Sequence, residues 1–515
     1  MITSMPEVFA RVLRDARIAF VGAALAFFIP ARTNAQTSSG QHEPANTNTT
    51  HSEQPKSSNS AAAAQPTANP QAAKAQAEES YYGGTTDKVK YPGLGPGGNQ
   101  KVETTIGPVK ARLYGTVLLN ISISDSEEIG QDIPLWPAPG AGLVTFPDGT
   151  TQRAGTLHDT IFTARQSVFG FTFEPAKAAS GEWSPSALVE FDFFGSRPSD
   201  GLQPQGRVFN QPRLRKGYFQ LQKDTWKILA GQDDIIISPL DPVSLSHVAV
   251  PLGATAGDLW GRFPQVRVEK TATHGDFSTL LQFGILRPEF GDPRLSSAAA
   301  PEIPPAGSSV DTAFSGFGER ATQPFYQARV AVSHPMAGST ATVGVGGHYG
   351  REKLGATRNL DSWAFAFDFD VPVISRVTLR GEGFVGSNLV PFQGGILQGV
   401  AFVPATTTTP AVFHKIGAGG GWGELTFRLT DDNKNFFYVG AGTDDPKNSQ
   451  LLAGTGRAKN SFAWASYFRK LTNNVTLATE WSNWQFRTLT IVGAVQTKAP
   501  SGRGNVFNIA LTYQF

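Results

Sequence analysis

The sequence predicts an all-β protein, a transmembrane antiparallel β-barrel of about sixteen strands behind a disordered N-terminal extension. Three observations predict it. Apolar and polar residues alternate at a period of two over runs longer than ordinary strands, and the connections between these runs are alternately long and short. The chain also opens with an export-type leader and closes on an aromatic residue inside an alternating run.

The leader comes first. Arg11, Arg14 and Arg17 precede an apolar run from Ile18 to Ile29, followed by Pro30 and the small-residue segment ending at Ala35. That is a basic region, an apolar region and a cleavage site, so residues 1–35 are expected to be a signal peptide cut after Ala35. The apolar run is far shorter than the ~20 residues of a spanning helix. Residues 1–35 hold four of the chain's 44 basic and two of its 42 acidic side chains, so the remainder is formally neutral. A neutral chain offers no bulk field for nucleic acid. With no cysteine among 515 residues, disulfides and thiolate metal sites are excluded. Charged residues make up 17%, below the ~25% of ordinary soluble domains. A wall with one face toward lipid and one toward a polar lumen has that balance.

Residues 36–105 are Ser, Thr, Asn, Gln, Ala and Pro with almost no large apolar side chain before Tyr81. Such a segment cannot bury enough surface to offset its ordering entropy, and it is expected to be a low-complexity periplasmic tether. Pro66 and Pro70 argue against a long helix there.

The barrel is expected over 106–515. Alternation places strands near 109–123, 160–174, 184–195, 213–223, 225–233, 262–271, 275–286, 323–334, 339–351, 358–371, 374–388, 414–430, 433–444, 458–471, 474–490 and 503–515. Long connections fall at 124–159, 196–212, 234–261, 287–322, 389–413, 445–457 and 491–502, with short ones between most of the others. Short turns on one side and long loops on the other are the layout of a membrane barrel. A soluble sandwich would also alternate, but its strands average five or six residues, whereas a tilted membrane strand needs about 9–11. Tyr114, Trp183, Trp226, Tyr326, Trp363, Trp422, Trp464, Trp481, Trp484 and Tyr513 near strand ends are expected to form the interfacial girdles.

The last strand carries a resemblance. Phe507, Ile509, Leu511, Tyr513 and Phe515 alternate with small or polar residues up to the C-terminus. This resembles the terminal signature of bacterial outer-membrane barrels, which implies recognition by the barrel-assembly machinery. In layout residues 105–515 are similar to general porins, and among them to the trimeric DcaP-like porins. Ala230-Gly231-Gln232-Asp233-Asp234 stands where those carry a Gly-Gln pair leading into a long inner loop. The resemblance implies a homotrimer in the outer membrane, in contact with lipid and lipopolysaccharide. It also implies passive diffusion of small polar solutes, with no cofactor and no metal. The N-terminal segment departs from that family's coiled-coil extension, since it has prolines and no heptads.

A diffusion channel needs a constriction, and the 234–261 connection is the candidate. It is apolar for a surface loop and carries Asp234, Asp241, His247 and Asp258; shielding a subunit interface is the alternative role. Parity places Arg112, Glu190, Asp192, Arg267, Glu269, Arg329, Arg376, Arg380, Glu382 and Arg428 on the inner wall, with Asp368, Asp370, Glu424, Arg469 and Glu480. Arginine facing mid-membrane lipid would cost about 2–4 kcal/mol, which favours the lumen. An arginine ladder opposite an acidic loop would set a transverse field and favour anionic or zwitterionic solutes; the alternative for each single arginine is a paired or solvated wall residue. Enzyme chemistry finds little support. Ser244-Leu245-Ser246-His247 puts a hydroxyl near an imidazole, but an extended segment would not bring the two together. The glycine run 417–423 enters an alternating strand rather than a helix, so it is no phosphate loop. A substrate-specific channel, and a structural or adhesive barrel acting through its external loops, remain the alternatives.

Overall fold

The computed structural model describes residues 102–130, 132–177, 181–195, 210–290, 316–403, 407–408, 412–452, 456–492 and 495–515. The expected signal peptide and the tether up to residue 101 lie outside the described residues. Among those described, sixteen antiparallel strands close into one barrel. They are β1 (Val109–Ser124), β2 (Asp159–Thr163 continued by Val168–Pro175), β3 (Ser184–Asp192), β4 (Arg213–Lys223), β5 (Trp226–Asp234), β6 (Arg262–His274), β7 (Phe277–Leu286) and β8 (Phe325–Met336). The second half is β9 (Ser339–Lys353), β10 (Asn359–Ile374), β11 (Val377–Ser387), β12 (Gly417–Arg428), β13 (Asn435–Pro446), β14 (Arg457–Lys470), β15 (Val475–Val492) and β16 (Val495–Gln514).

Closure is made by β1 and β16, which pair from Thr116↔Gln514 to Ser124↔Val506. One residue further on, Gly115 and Phe515 exchange two backbone hydrogen bonds of 3.1 Å. Residues Val102–Ile106 fold back on the foot of β1, from Val102↔Leu113 to Ile106↔Val109. The barrel therefore begins slightly before the expected boundary at 106, because a hairpin covers the edge that the last strand leaves unpaired.

Alternation sets the two faces. Phe365, Phe367, Phe507, Ile509, Leu511 and Tyr513 point outward and are exposed, while Asn508, Ala510 and Thr512 between the last four point inward and are buried. An exposed apolar belt on a closed barrel is what lipid requires, since every strand edge is paired. Tyr326, Tyr349 and Trp363 stand in one cross-strand row on β8, β9 and β10 at the long-loop end. At the other end the turns are tight. Ala337-Gly338 connects β8 and β9 with both residues at positive φ (50° and 78°), the backbone that matches strand twist in a two-residue hairpin.

Three sequence expectations are corrected here. The 160–174 strand is interrupted between Thr163 and Val168, where Arg165, Gln166 and Ser167 turn into the barrel and are buried. The 491–502 connection is not a loop: β15 and β16 pair out to Val492↔Val495. Its Gly, Thr, Lys, Pro and Ser residues are those a sequence reading assigns to a loop. Trp422, Trp464 and Trp484 are not in a girdle; they point inward and are buried (4%, 1% and 0% exposed), as is Tyr114.

Candidate functional site

Those inward tryptophans have a partner. The connection between β5 and β6, residues 235–261, folds into the barrel and is buried along most of its length. Leu240, Leu252 and Ala256 pack with Trp422, Phe462, Trp464, Trp484 and Val506 of the wall. Val243 and Leu245 pack with Tyr438, Phe468, Ala478 and Ala510, and Ile235, Ile237 and Leu259 with Phe325, Phe384 and Phe392. The unusual apolarity of this connection thus has a cause, since it is a surface loop turned into a core.

A buried irregular segment must find partners for its backbone donors. Polar wall side chains supply them. Glu382 accepts from the Ser238 hydroxyl and from the Leu240 N–H, the latter at 2.6 Å. Glu424 accepts from the Val243 N–H at 2.7 Å, and Gln327 from the Ile236 N–H at 2.8 Å. Gln166, delivered by the break in β2, accepts from Val248 N–H (2.7 Å) and Ala249 N–H (3.1 Å) and donates to the Ser246 carbonyl (2.8 Å). The break therefore exists to place a clamp. Asp258 is buried in the loop, and burial, with Asp241 and Glu382 nearby, holds its carboxyl well above the ordinary range.

The opposite wall, where the loop leaves and rejoins the barrel, is charged. Arg215 donates to Glu190 (2.8 Å), Asp192 (3.1 Å) and the Val248 carbonyl (2.9 Å). Arg213 pairs with Asp192 at 2.6 Å. Lys216 pairs with Asp234 at 2.8 Å, and Arg262 with Asp234 at 2.9 Å while lying over the Trp260 ring. Arg213, Arg215, Lys216, Arg262 and Asp234 keep part of their surface exposed, unlike the loop's apolar side. From the loop, Asp241 lies within electrostatic reach of Arg262, Arg380 and Lys216.

A β-bulge builds this cluster. The β3–β4 register slips between Leu214 and Lys216, so Arg215 and Lys216 both face inward although they are adjacent in sequence. Gln232 holds the bulge, donating to the carbonyls of Leu214 (2.9 Å) and Arg215 (3.2 Å). Beside it Gly231 (φ 136°) runs so close to Gly217 and Tyr218 that a Cβ would stand 2.2 Å from the Gly217 carbonyl. The Gly-Gln pair thus has a local function: close approach, then satisfaction of carbonyls that would otherwise be orphaned beside an apolar face.

The expected inner-wall residues divide into two groups. Glu190, Asp192, Arg267, Glu269, Arg329, Asp368, Arg380, Glu382, Glu424 and Glu480 are inside and buried. Most are paired: Arg267 with Asp233 and Glu269, Lys227 with Glu269, Arg329 bidentate with Asp368 at 2.8 and 2.6 Å, and Arg380 with Asp370 and Glu424 at 3.4 Å each. Four expected wall residues are corrected. Arg376 sits in the turn before β11, exposed and paired with Asp431. Arg428 ends β12 and binds the Ser375 carbonyl. Arg112 pairs with Glu103 and Glu174 at the short-turn end. Arg469 is exposed, because the inward set of β14 falls on the even residues Ala458 to Phe468. Arg112 and Arg428 keep the inward parity of their strands but lie at the short-turn end, Arg376 falls in a turn, and Arg469 falls on the outward parity.

His247 is corrected as well. It is buried among the loop's packing rather than facing a passage. The segment is not extended, so Ser244 Oγ lies 3.4 Å from His247 Nδ1, and Glu480 lies 3.7 Å from the same nitrogen. A relay would need the hydroxyl and the acid on different ring nitrogens.

No family model matches the chain, and no curated protein does. Solved structures do match. The outer membrane channel DcaP of Acinetobacter baumannii shares 13% identity, covering 80% of this chain and 99% of that one, with a TM-score of 0.56. The anion-selective porin from Comamonas acidovorans shares 11%, covering 79% and 100%, with a TM-score of 0.46. The first of these likenesses extends to the whole barrel, and the expected porin-like fold of sixteen strands is borne out.

Proposed function

We propose that the chain is an outer-membrane channel that lets small hydrophilic solutes diffuse through its barrel, without cofactor or covalent chemistry. One observation carries the reading: a long loop folded into a lipid-faced barrel packs its apolar side on one wall and leaves a charged, partly exposed cluster on the other. The short-turn end then faces the periplasm, consistent with export by the leader and with assembly through the Phe507–Phe515 signal. The wild-type assembly is read as a homotrimer, as the resemblance implies. Arg213, Arg215, Lys216 and Arg262 stand against Glu190, Asp192, Asp234 and Asp241, so the passage is close to balanced in charge. A balanced transverse field favours zwitterionic solutes over strongly anionic ones. Ser244, His247 and Glu480, held on one imidazole nitrogen, lend no support to hydrolysis.

The purified protein in a planar bilayer is expected to give stepwise, ohmic openings with weak ion selectivity. A silent barrel would overturn the reading. It would favour instead a structural or adhesive role, for which the depth of loop packing in the lumen is the supporting observation.

A further inference from the structure

The outer wall has a second irregularity, at the long-loop end. The row that carries Tyr326, Tyr349 and Trp363 continues through Ser387 of β11 and Gly417 of β12, whose carbonyl accepts from the Lys447 N–H beyond β13. Past Trp363 the aromatic row is thus replaced by small residues and a lysine. Below it, the outward positions of β12 are Gly419, Gly421 and Gly423, where β10 presents the exposed rings of Phe365 and Phe367. Neighbouring positions on β13 and β14 are Ala441, Thr443, Ser461 and Ala463, with the two hydroxyls hydrogen-bonded to each other at 2.8 Å.

The result is a groove of about 830 Å³ with Gly417 and Gly419 on its floor and Trp363 and Val385 on one side. Lys415 and Lys447 stand at its upper end. A second hollow of about 470 Å³, lined by Phe413, Leu451 and Leu452, adjoins it and shares Lys415. Neither lysine makes an ion pair among the described residues, whereas the next lysine on this wall, Lys459, is paired with Asp445 at 3.6 Å. Lys415 lies within electrostatic reach of Asp361, Lys447 is exposed, and Asp445, which also lines the groove, is engaged by Lys459. A recess in a lipid-facing wall is filled by hydrocarbon, and two ammonium groups above hydrocarbon select an anionic headgroup.

We propose that this groove is a binding site for a phosphorylated lipid of the outer leaflet. One acyl chain would lie along Gly417 and Gly419, with a phosphate between Lys415 and Lys447. The inference rests on the outer-membrane reading and gives it a particular lipid contact. A second copy of the chain seated on the small-residue face is the competing occupant.

Full-length protein in detergent, mixed with bisphosphorylated hexa-acyl lipid A or with phosphatidylcholine, is examined by native mass spectrometry. Retention of lipid A is expected to exceed that of phosphatidylcholine and to fall roughly thirtyfold in Lys415→Gln/Lys447→Gln, at about one electrostatic increment per lysine. Gly419→Leu, whose new Cβ would have only the Phe384 carbonyl nearby at 3.6 Å, is expected to lower retention by filling the groove. Bilayer conductance should be unchanged in both variants. Equal retention in wild type and lysine variant, or equal retention of the two lipids, would overturn the proposal. So would a Gly419→Leu variant that separates an oligomer while keeping its lipid A. Absence of conductance in wild type would instead strike the channel reading.

Discussion

The two walls that hold the inner loop use different physics. On β12–β16 the loop meets Trp422, Phe462, Trp464, Trp484 and Phe468, and contact is a matter of apolar area. On β3–β6 it meets Arg213, Arg215, Lys216 and Arg262, each paired with a carboxylate and partly exposed. Apolar packing is strong and indifferent to ions, and partly exposed ion pairs contribute little to stability while shaping the local field. The aromatic wall therefore holds the loop, and on the proposed channel reading the charged wall would meet the solute.

That division can be broken most readily at the tryptophans. Trp464→Ala or Trp484→Ala should cost about 3–5 kcal/mol, read as a lower denaturation midpoint, and should make single-channel current noisier as the loop loosens. An undisturbed current would mean that the charged wall holds the loop instead. Glu382→Leu leaves the Leu240 N–H and the Ser238 hydroxyl without their acceptor, at about 1–3 kcal/mol. Its conductance should rise, because the first stretch of the loop is released from the wall.

Smaller effects sharpen the other side. Arg262→Gln removes a partly exposed cation that on the channel reading would face the passage, and the cation-to-anion permeability ratio should rise by about twofold, or ~0.4 kcal/mol, with little change in stability. Least of all, Arg376→Ala should leave selectivity unchanged and alter stability by no more than ~0.5 kcal/mol, since its pair with Asp431 is exposed at a turn. A shift in reversal potential with that variant would place field-setting charge at the wrong end of the barrel.

Most of the barrel was legible because alternation is dictated by having lipid on one side of each strand. The strand at Arg213–Lys223 matches its expected limits, and the others differ by a few residues apart from β2 and the outer reach of β15 and β16. The inner loop was legible too, through apolar residues such as Ile235–Ile237 that a solvent-facing loop would not carry. Arg213, Arg215, Lys216 and Gln166 were missed for one reason: parity assumes an unbroken strand, and each lies at a bulge or a break. The signal that could have found them was the Arg213-Leu214-Arg215-Lys216 run itself, since one strand cannot send both of two adjacent cations inward without a slip in register. Inward tryptophans were mistaken for a girdle because residue type alone does not report which face a position occupies.

The seam between Gly115 and Phe515 fixes an order of events. Its two backbone hydrogen bonds continue the pairing of the first strand with the sixteenth, so the ring cannot shut while any strand between them is missing. Until then β1 has an open edge, and only its foot, covered by Val102–Ile106, is already sheltered. Assembly thus has one stopwatch, and the sixteenth strand is the one that stops it.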